Sequence, residues 1–226
     1  MISVLTITYK RHHLLEEAIE SFLKQNDVTC PIEMVIINDN LEVNYTIDNP
    51  LVRIINYKER FSSISAKLEW GYKQCRYNYV YRLDDDDLLT PWAMHNLHLD
   101  IVSNSDYEIY RSSGHYFFTH NKFVSDSSSI NNGNVYTKSY LDRIDFPNKS
   151  GDEDNYMTFF HNAKIYESKL KHTMIYRWGM GTLHISGMGQ TSSEAILNEA
   201  DKVLDNTTGI IELHPKFLNN YYEQLN

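Results

Sequence analysis

Four consecutive aspartates, Asp84, Asp85, Asp86 and Asp87, are the residues of this sequence that most directly suggest chemistry. They follow a short apolar segment, so four like charges crowd the end of a predicted strand. Neighbouring carboxylates disfavour one another's ionised form unless a cation neutralises them. Hard oxygen ligands of this kind select Mg²⁺ or Mn²⁺. The run therefore predicts a divalent-metal site, and a solvated acidic turn is the alternative.

Two further acidic positions are candidates for binding or catalysis. Asp39 follows Asn38 at the end of another predicted strand, where its carboxylate can accept from a ribose hydroxyl or a base N–H, or form an Asx turn. Glu153 and Asp154 lie at a predicted helix start, where the helix dipole favours negative charge. A carboxylate in that place can also act as a general base toward an acceptor hydroxyl. Both positions keep a structural explanation beside the functional one.

Three basic side chains complete the candidates. His184 lies in the glycine-rich segment 178–189, and neutral imidazole is a common metal ligand. Lys67 and Arg60 are candidates for contacting a diphosphate. A surface histidine and a solvated helix face explain these residues equally well from sequence alone.

Alternating strand and helix patterns must position these residues. The predicted strands of the first hundred residues are 2–8, 32–37, 51–56 and 79–83. Amphipathic stretches between them predict helices. This alternation predicts an α/β fold, with a mixed, mainly parallel sheet flanked by helices on both faces. Ligands of such sheets bind beyond the carboxyl ends of the strands, where Thr8, Asp39 and the four aspartates lie.

The rest of the chain is less regular. Thr90 and Pro91 predict the start of a third helix, as N-cap and first helical residue. Aromatic residues in segment 106–124 indicate one or two strands, and the polar segment 125–134 indicates a loop. Apolar side chains recurring at helical spacing over residues 217–225 predict a C-terminal packing helix. With no internal repeat or linker in the sequence, we expect one domain.

The composition is that of an ordinary folded domain. The chain has 226 residues, 42% of them hydrophobic, which allows a sizeable core. Its 30 acidic and 21 basic residues give a net charge of −9, which disfavours stable binding to nucleic acid. The apolar run before Tyr9 is too short for a signal sequence, and no transmembrane segment is expected. Two cysteines form no disulfide framework or zinc spacing, so a reduced, cytoplasmic setting is expected.

Taken together, these motifs resemble the family-2-type glycosyltransferases of the GT-A fold. The residues that carry the resemblance are segments 3–11 and 15–21, segment 35–39 ending in Asn38 and Asp39, the four aspartates, and Gly151, Asp152, Glu153 and Asp154. The resemblance implies a GT-A-like, Rossmann-related domain spanning residues 1–226. Residues 1–104 would then form the nucleotide-sugar-binding half and residues 105–226 the acceptor-binding half.

The resemblance also implies a donor pocket. Thr8, Tyr9 and Arg11 would line the nucleotide pocket after the first strand. Asp39 would contact the uracil or ribose of a nucleotide sugar, with a UDP-sugar favoured. Lys67 would contact the diphosphate, although it replaces the arginine of an Ala-Arg-Asn-x-Gly motif that the family often has there.

The aspartate run matches the family's Asp-x-Asp metal motif. Asp86 would coordinate Mn²⁺ or Mg²⁺, and Asp84 would bind the metal or the ribose. Asp85, between them, would belong to the donor-binding set. His184 lies roughly where some members supply a further metal ligand.

The Gly151 to Asp154 segment matches the family's Glu-Asp motif. Asp154 would be the general base and Glu153 would support it. Removal of the acceptor's proton, with attack on the opposite face of the sugar carbon, would invert the anomeric centre.

Two other functions stay open at this point. A sugar-phosphate nucleotidyltransferase would favour a glycine-rich phosphate loop near the N-terminus, and segment 8–11 contains no glycine. A catalytically degenerate GT-A-like module would bind metal or glycan without turnover. For an active transferase, the acceptor hydroxyl could belong to a soluble glycan, a lipid-linked glycan, a protein or a modified nucleobase. A homodimer is compatible with the sequence.

Overall fold

The computed structural model describes residues 1–119, 122–128, 130–148, 153–159, 161–178 and 205–225. The helices are α1 (His12–Leu23), α2 (Ile64–Gln74), α3 (Ala93–Ser103), α4 (Lys138–Leu141) and α5 (Glu153–Phe159), and a 3₁₀ helix spans Tyr222–Leu225. The strands are β1 (Ile2–Thr8), β2 (Ile32–Asn38), β3 (Val43–Thr46), β4 (Val52–Asn56), β5 (Tyr79–Arg82), β6 (Leu88–Leu89), β7 (Ile109–Arg111), β8 (Gly114–Thr119), β9 (Lys122–Ser128), β10 (Val135–Thr137), β11 (Ile165–Glu167), β12 (Met174–Trp178) and β13 (Gly209–Glu212).

A seven-stranded sheet forms the centre, in the order β11-β7-β10-β5-β1-β2-β4. The pairs β5–β1, β1–β2 and β2–β4 are parallel, and β10 is antiparallel to both of its neighbours. The register places Thr8 opposite Asn38, and Asn38 opposite Asn56. The polar carboxyl ends of three strands therefore lie at one edge of the sheet. This confirms the mixed, mainly parallel sheet predicted from the sequence.

Alternate side chains of the central strands enter two different cores. Val4 and Ile36 pack in a core that contains apolar residues of α1 and α3. Leu5 and Ile37, each one residue further along, pack in a second core with residues of α2, α4 and α5. Since successive side chains of a strand point to opposite faces, the helices cover both faces of the sheet. The mainly apolar sequences of β1 and β2 follow from this two-sided burial.

Close packing of α2 on the sheet depends on Gly71. A Cβ atom at this position would lie 3.0 Å from Leu5 Cδ1 and 3.2 Å from Ile37 Cγ1. Ser63 is the N-cap residue of α2, and its hydroxyl accepts from the Ala66 N–H at 3.1 Å. The cap and the glycine together fix where α2 begins and how near it lies to the end of β1.

Two smaller sheets lie beside the central one. A four-stranded sheet has the order β6-β12-β8-β9, and β13 pairs in parallel with β3. The four aspartates occupy the short connection from β5 to β6. Through the pairing of β6 with β12, that connection lies next to Arg177 of β12.

Three predictions about local structure were wrong. Helix α3 begins at Ala93 after an N-cap at Trp92, and the Thr90 hydroxyl instead donates to the His172 carbonyl at 3.0 Å. Part of the segment predicted as a loop forms β9, because antiparallel pairing with β8 extends it to Ser128. A local polarity pattern does not reveal such a pairing partner.

The predicted C-terminal helix is also reduced, to the 3₁₀ helix over Tyr222–Leu225. The aromatic rings there pack on a small core instead, with Tyr221 against Phe118 at 4.8 Å between ring centroids. Tertiary contacts with other elements therefore explain the apolar spacing. Within the described segments, no helix combines the length and the hydropathy that crossing a bilayer requires.

Candidate active site

The buried Asp39 carboxylate is the centre of a polar cluster at the ends of β1 and β2, the Asp39 cluster. Lys67 of α2 donates from Nζ to Asp39 Oδ1 at 2.5 Å and to the Thr8 carbonyl at 2.7 Å. The Phe61 N–H donates to the other carboxylate oxygen at 3.2 Å. Burial lowers the pKa of Lys67 to about 8, although the Asp39 charge opposes this shift. Lys67 thus links the ends of the two strands through one ion pair and one hydrogen bond.

Arg60 covers the Asp39 cluster from the solvent side. Its Nη1 donates to Asp39 Oδ1 at 2.6 Å, and its guanidinium carbon lies 3.6 Å from the centre of the Tyr9 ring. Half of the Arg60 side chain is exposed, whereas Asp39 is buried. The half-exposed guanidinium of Arg60 therefore both stacks on the Tyr9 ring and covers the Asp39 carboxylate.

Arg11, at the start of α1, neutralises part of the aspartate run. Its guanidinium forms an ion pair with Asp85, to which Nε also donates at 3.3 Å. Nη1 donates to Asp86 Oδ2 at 2.9 Å. Burial raises the pKa of Asp85 to about 6, while the Arg11 charge opposes the increase. Arg11 thus lies against the aspartates rather than beside Tyr9.

Asp87 is fully buried and is held from two directions. Its Oδ1 accepts from the Arg177 N–H at 3.0 Å, and its Oδ2 accepts from Asn132 Nδ2 at 2.7 Å. Burial raises the pKa of Asp87 well above the ordinary value. The Arg177 side chain continues to the Asp86 carbonyl and forms a buried ion pair with Glu17 of α1. These contacts fix the backbone of the aspartate turn.

The aspartate turn has a donor set suited to a hard cation. One carboxylate oxygen from each of Asp84, Asp86 and Asp87 lies within 4.8 Å of the others. Beside them, Asn132 Oδ1 is buried and accepts no hydrogen bond from the described residues. Carboxylate and amide oxygens are ligands that Mg²⁺ and Mn²⁺ prefer, so the residues present fit such an ion. His184 lies outside the described residues.

A second cluster joins the aspartate turn to α5 through Arg82. Nη2 of Arg82 donates to Asp84 Oδ1 at 3.2 Å and to Glu153 Oε1 at 3.1 Å. Nη1 forms an ion pair with Asp154. Arg82 is buried, and burial raises the pKa of Asp84 in spite of the Arg82 charge. Carboxylates from two distant chain segments therefore meet at one guanidinium.

Comparison with known families decides what kind of protein carries this arrangement. The sequence model of Glycosyl transferase family 2 matches residues 3–147, which is more than half of the chain. The chain belongs to this family. The match confirms the family resemblance predicted from the sequence. No curated protein matches the sequence at a significant level.

Solved structures show the fold of this family-2 member independently. The crystal structure of S. aureus TarS 1–349 in complex with UDP-GlcNAc matches with a TM-score of 0.66 and 16% identity, over 89% of this chain and 65% of that chain. The TarS 1–349 complex with UDP matches at a TM-score of 0.62 and 16% identity, over 78% and 60%. The TarS structure matches at 0.60 and 18%, over 78% of this chain and 36% of that one. The chain thus spans less than two thirds of these relatives, and the similarity establishes the GT-A-like fold.

The structure of this family-2 chain groups its predicted site residues in three places. Thr8, Asp39 and Lys67 belong to the Asp39 cluster, where Tyr9 stacks on Arg60. Arg11 joins Asp85 and Asp86. Glu153 and Asp154 join Asp84 through Arg82.

Sequence reasoning missed Arg82, Asn132, Arg177 and Glu17. Arg82 is two residues before the aspartate run, which is the one local signal for it. Asn132 belonged to a segment predicted only as a polar loop, and Arg177 comes from a distant strand.

Proposed function

We propose that the chain is a metal-dependent, inverting glycosyltransferase that moves a sugar from a UDP-sugar to an acceptor hydroxyl. The meeting of the aspartate turn with the acidic start of α5 is the observation that carries this proposal. A transferase needs a cation-binding group for the leaving diphosphate and a base for the acceptor, close to one another. Family membership supports the reaction class, and the UDP and UDP-GlcNAc complexes of TarS favour a uridine nucleotide.

In this proposal, the nucleoside binds at the Asp39 cluster. Tyr9 offers a ring face, Asp39 offers an acceptor for an N–H or hydroxyl group, and Thr8 lies at the same strand end. Arg60 now stacks on Tyr9 and donates to Asp39, as a planar base with an N–H would. Nucleoside binding would therefore displace Arg60. Lys67 would keep Asp39 in place, because its ammonium bridges Asp39 and the Thr8 carbonyl.

Asp84 and Asp86, with Asp87 behind them, would hold Mn²⁺ or Mg²⁺, and His184 is proposed as a further ligand. When bound, the cation supplies a Lewis acid that stabilises the charge of a departing diphosphate. Arg11 holds Asp85 and Asp86 in position through its guanidinium. The chain itself thus orients the carboxylates before a donor arrives.

Asp154 is proposed as the general base, with Glu153 beside it. It would accept the proton of the acceptor hydroxyl while the oxygen attacks the sugar carbon opposite the leaving group. A base in this role contributes about 10²–10⁴-fold to the rate. Residues 1–104 would then serve the donor, and residues 105–226 the acceptor glycan or other hydroxyl compound. The cytoplasmic setting and the homodimer stay predictions.

The first experiment is a thermal-shift panel of UDP, GDP, CDP and dTDP, each with and without Mn²⁺. A ligand that binds only the native state raises its melting temperature, so we expect a Mn²⁺-dependent shift with UDP. A response to none of the nucleotides would contradict the donor assignment.

The second experiment is a sugar-transfer assay with Asp154→Asn and the matched control Asp145→Asn, whose carboxylate is exposed. Asp154→Asn should keep the Mn²⁺–UDP thermal shift and lose about 10²–10⁴-fold in turnover, whereas the control keeps both. Full turnover of Asp154→Asn would refute the base assignment.

A further inference from the structure

Arg82 lies between the aspartate turn and the acidic start of α5, and its backbone is held in the central sheet. It is the last residue of β5 and lies opposite Leu5 of β1. Its N–H donates to the Asn134 carbonyl, and the next N–H donates to the Leu5 carbonyl, both at 3.0 Å. Only 4% of the residue is exposed. The guanidinium therefore projects from a backbone that is hydrogen-bonded on both sides within the central sheet.

The three carboxylates around Arg82 come from segments with different anchors. Asp84 belongs to the aspartate turn, which directly continues β5. Glu153 and Asp154 are the first residues of α5, which is only seven residues long. The far end of α5 is tied to α4, where the Tyr140 hydroxyl donates to the Met157 carbonyl at 2.5 Å. At the beginning of α5, Arg82 supplies the ion pairs.

The ion pairs of Arg82 offset the repulsion between the carboxylates of α5 and the aspartate turn. Without Arg82, Asp84 and two α5 carboxylates would repel one another in a partly buried place. The planar guanidinium presents several N–H groups in a fixed fork, so it can contact all three. A lysine would neutralise part of the charge from one point but would not reproduce the fork.

We propose that Arg82 is a positioning residue that holds Asp154 at a set distance from the aspartate turn, and so aligns the base with the donor. The inference rests on the proposed function, because it acts through Asp154. It assigns no contact with substrate to Arg82 itself. Misplacing a reacting group by about 1 Å can cost about 10²-fold in rate, which sets the scale of the expected effect.

A double-mutant cycle tests this coupling. Arg82→Gln should lower kcat by about 10²-fold, with the KM for the donor changed less than about threefold. In Asp154→Asn, the same Arg82→Gln change should have almost no further effect on kcat, because the base it positions is absent. Arg82→Lys should recover about tenfold of the lost kcat, since it keeps the charge. Arg143→Gln, which removes a half-exposed arginine paired with Glu108, is the control and should change neither constant.

A second cycle uses the chelated protein and needs no activity. Urea unfolding in EDTA gives the free energy of unfolding of each variant. The loss in the Arg82→Gln, Asp154→Asn double variant should be smaller than the sum of the losses in the two single variants. If Arg82→Gln does not fold, both cycles are run with Arg82→Lys, for which the same non-additivity is expected at smaller amplitude.

Separate results would overturn the inference and the proposed function. The positioning role would be refuted if the kcat losses of Arg82→Gln and Asp154→Asn multiplied in the double variant. It would also be refuted if the Arg82 variants lowered kcat and raised KM together, with no recovery in Arg82→Lys. A normal kcat in Arg82→Gln when Asp154→Asn is impaired would refute it as well. A normal kcat in Asp154→Asn would instead refute the base assignment of the proposed function.

Discussion

The ion pair between Arg11 and the aspartate run allows a quantitative test of how the chain tolerates four adjacent carboxylates. Arg11 contacts Asp85 and Asp86, whose side chains are almost completely buried. Arg11→Gln removes the cation but keeps much of the side-chain length. Two buried carboxylates would then lack their main neutralising partner among the side chains described. We expect a large loss of stability in the metal-free protein.

The magnitude follows from burial. Removing one partner of a buried ion pair costs about 3–5 kcal/mol, because the remaining charge is left uncompensated. For a chain of this size, each kcal/mol lowers the melting temperature by about 2–4 °C. Arg11→Gln should therefore lower it by roughly 6–20 °C in EDTA. The measurement should be made near pH 8, so that uptake of protons by the carboxylates does not relieve the repulsion.

The assay is equilibrium unfolding in urea with EDTA, repeated with Mn²⁺. Arg143→Gln is the matched control, because its half-exposed pair with Glu108 should contribute at most about 1 kcal/mol. Mn²⁺ should restore part of the stability of Arg11→Gln, since a divalent cation can replace the lost charge. A loss as small as that of the control would refute the reasoning. So would a loss that saturating Mn²⁺ leaves unchanged.

Three further predictions concern single groups. Burial holds the pKa of Asp85 at about 6, above the unfolded value of about 3.9, so the folded chain binds this proton more tightly and loses stability as pH rises between these values. In urea titrations with EDTA, the free energy of unfolding should fall by about 1 kcal/mol less from pH 5 to pH 7.5 in Asp85→Asn than in the unsubstituted chain. An unchanged pH dependence would contradict this prediction. Arg60→Gln should tighten Mn²⁺–UDP binding several-fold in calorimetry, because Asp39 becomes accessible; weaker binding would instead indicate that Arg60 contacts the diphosphate. Asn132→Ala should cost about 1–3 kcal/mol of unfolding free energy, because Asp87 loses a buried hydrogen bond, and a neutral result would contradict that.

The central sheet could be predicted because local patterns determine it. Segments such as β1 and β2 are buried on both faces, so their sequences are mainly apolar and rich in β-branched residues. The amphipathic α1 between them requires a crossover, which makes the two strands parallel. The same logic places Thr8 and Asn38 at one edge of the sheet.

Elements that depend on distant partners could not be predicted in the same way. Strand β9 is polar, and its pairing with β8 is what makes it a strand. The apolar residues near the C-terminus contact α1 and β6 instead of forming a long helix. The Tyr222 hydroxyl, for example, donates to the Leu89 carbonyl at 2.8 Å, across 133 residues of sequence.

In the candidate site, too, some residues could be identified from local sequence, whereas their partners could not. Residue types at strand ends indicated Asp39 and the four aspartates as chemically significant, and the acidic helix start indicated Asp154. Their partners come from far along the chain: Asn132 is 48 residues from Asp84, and Glu153 is 71 residues from Arg82. Spacing in the sequence cannot reveal such contacts, because they depend on how the strands are ordered in the sheet.

These partners change how the charge of the aspartate turn is balanced. The sequence predicted a divalent metal ion at the turn, and in the structure Arg11 and Arg82 also form ion pairs with three of the four aspartates. The charge of Arg177 is balanced by Glu17. Arg82 also pairs with Glu153 and Asp154, so two guanidiniums face six carboxylates, and the ionised cluster keeps an excess of negative charge. The fixed arginines thus lower the repulsion enough for the turn to fold, while the remaining excess still favours binding of a divalent ion.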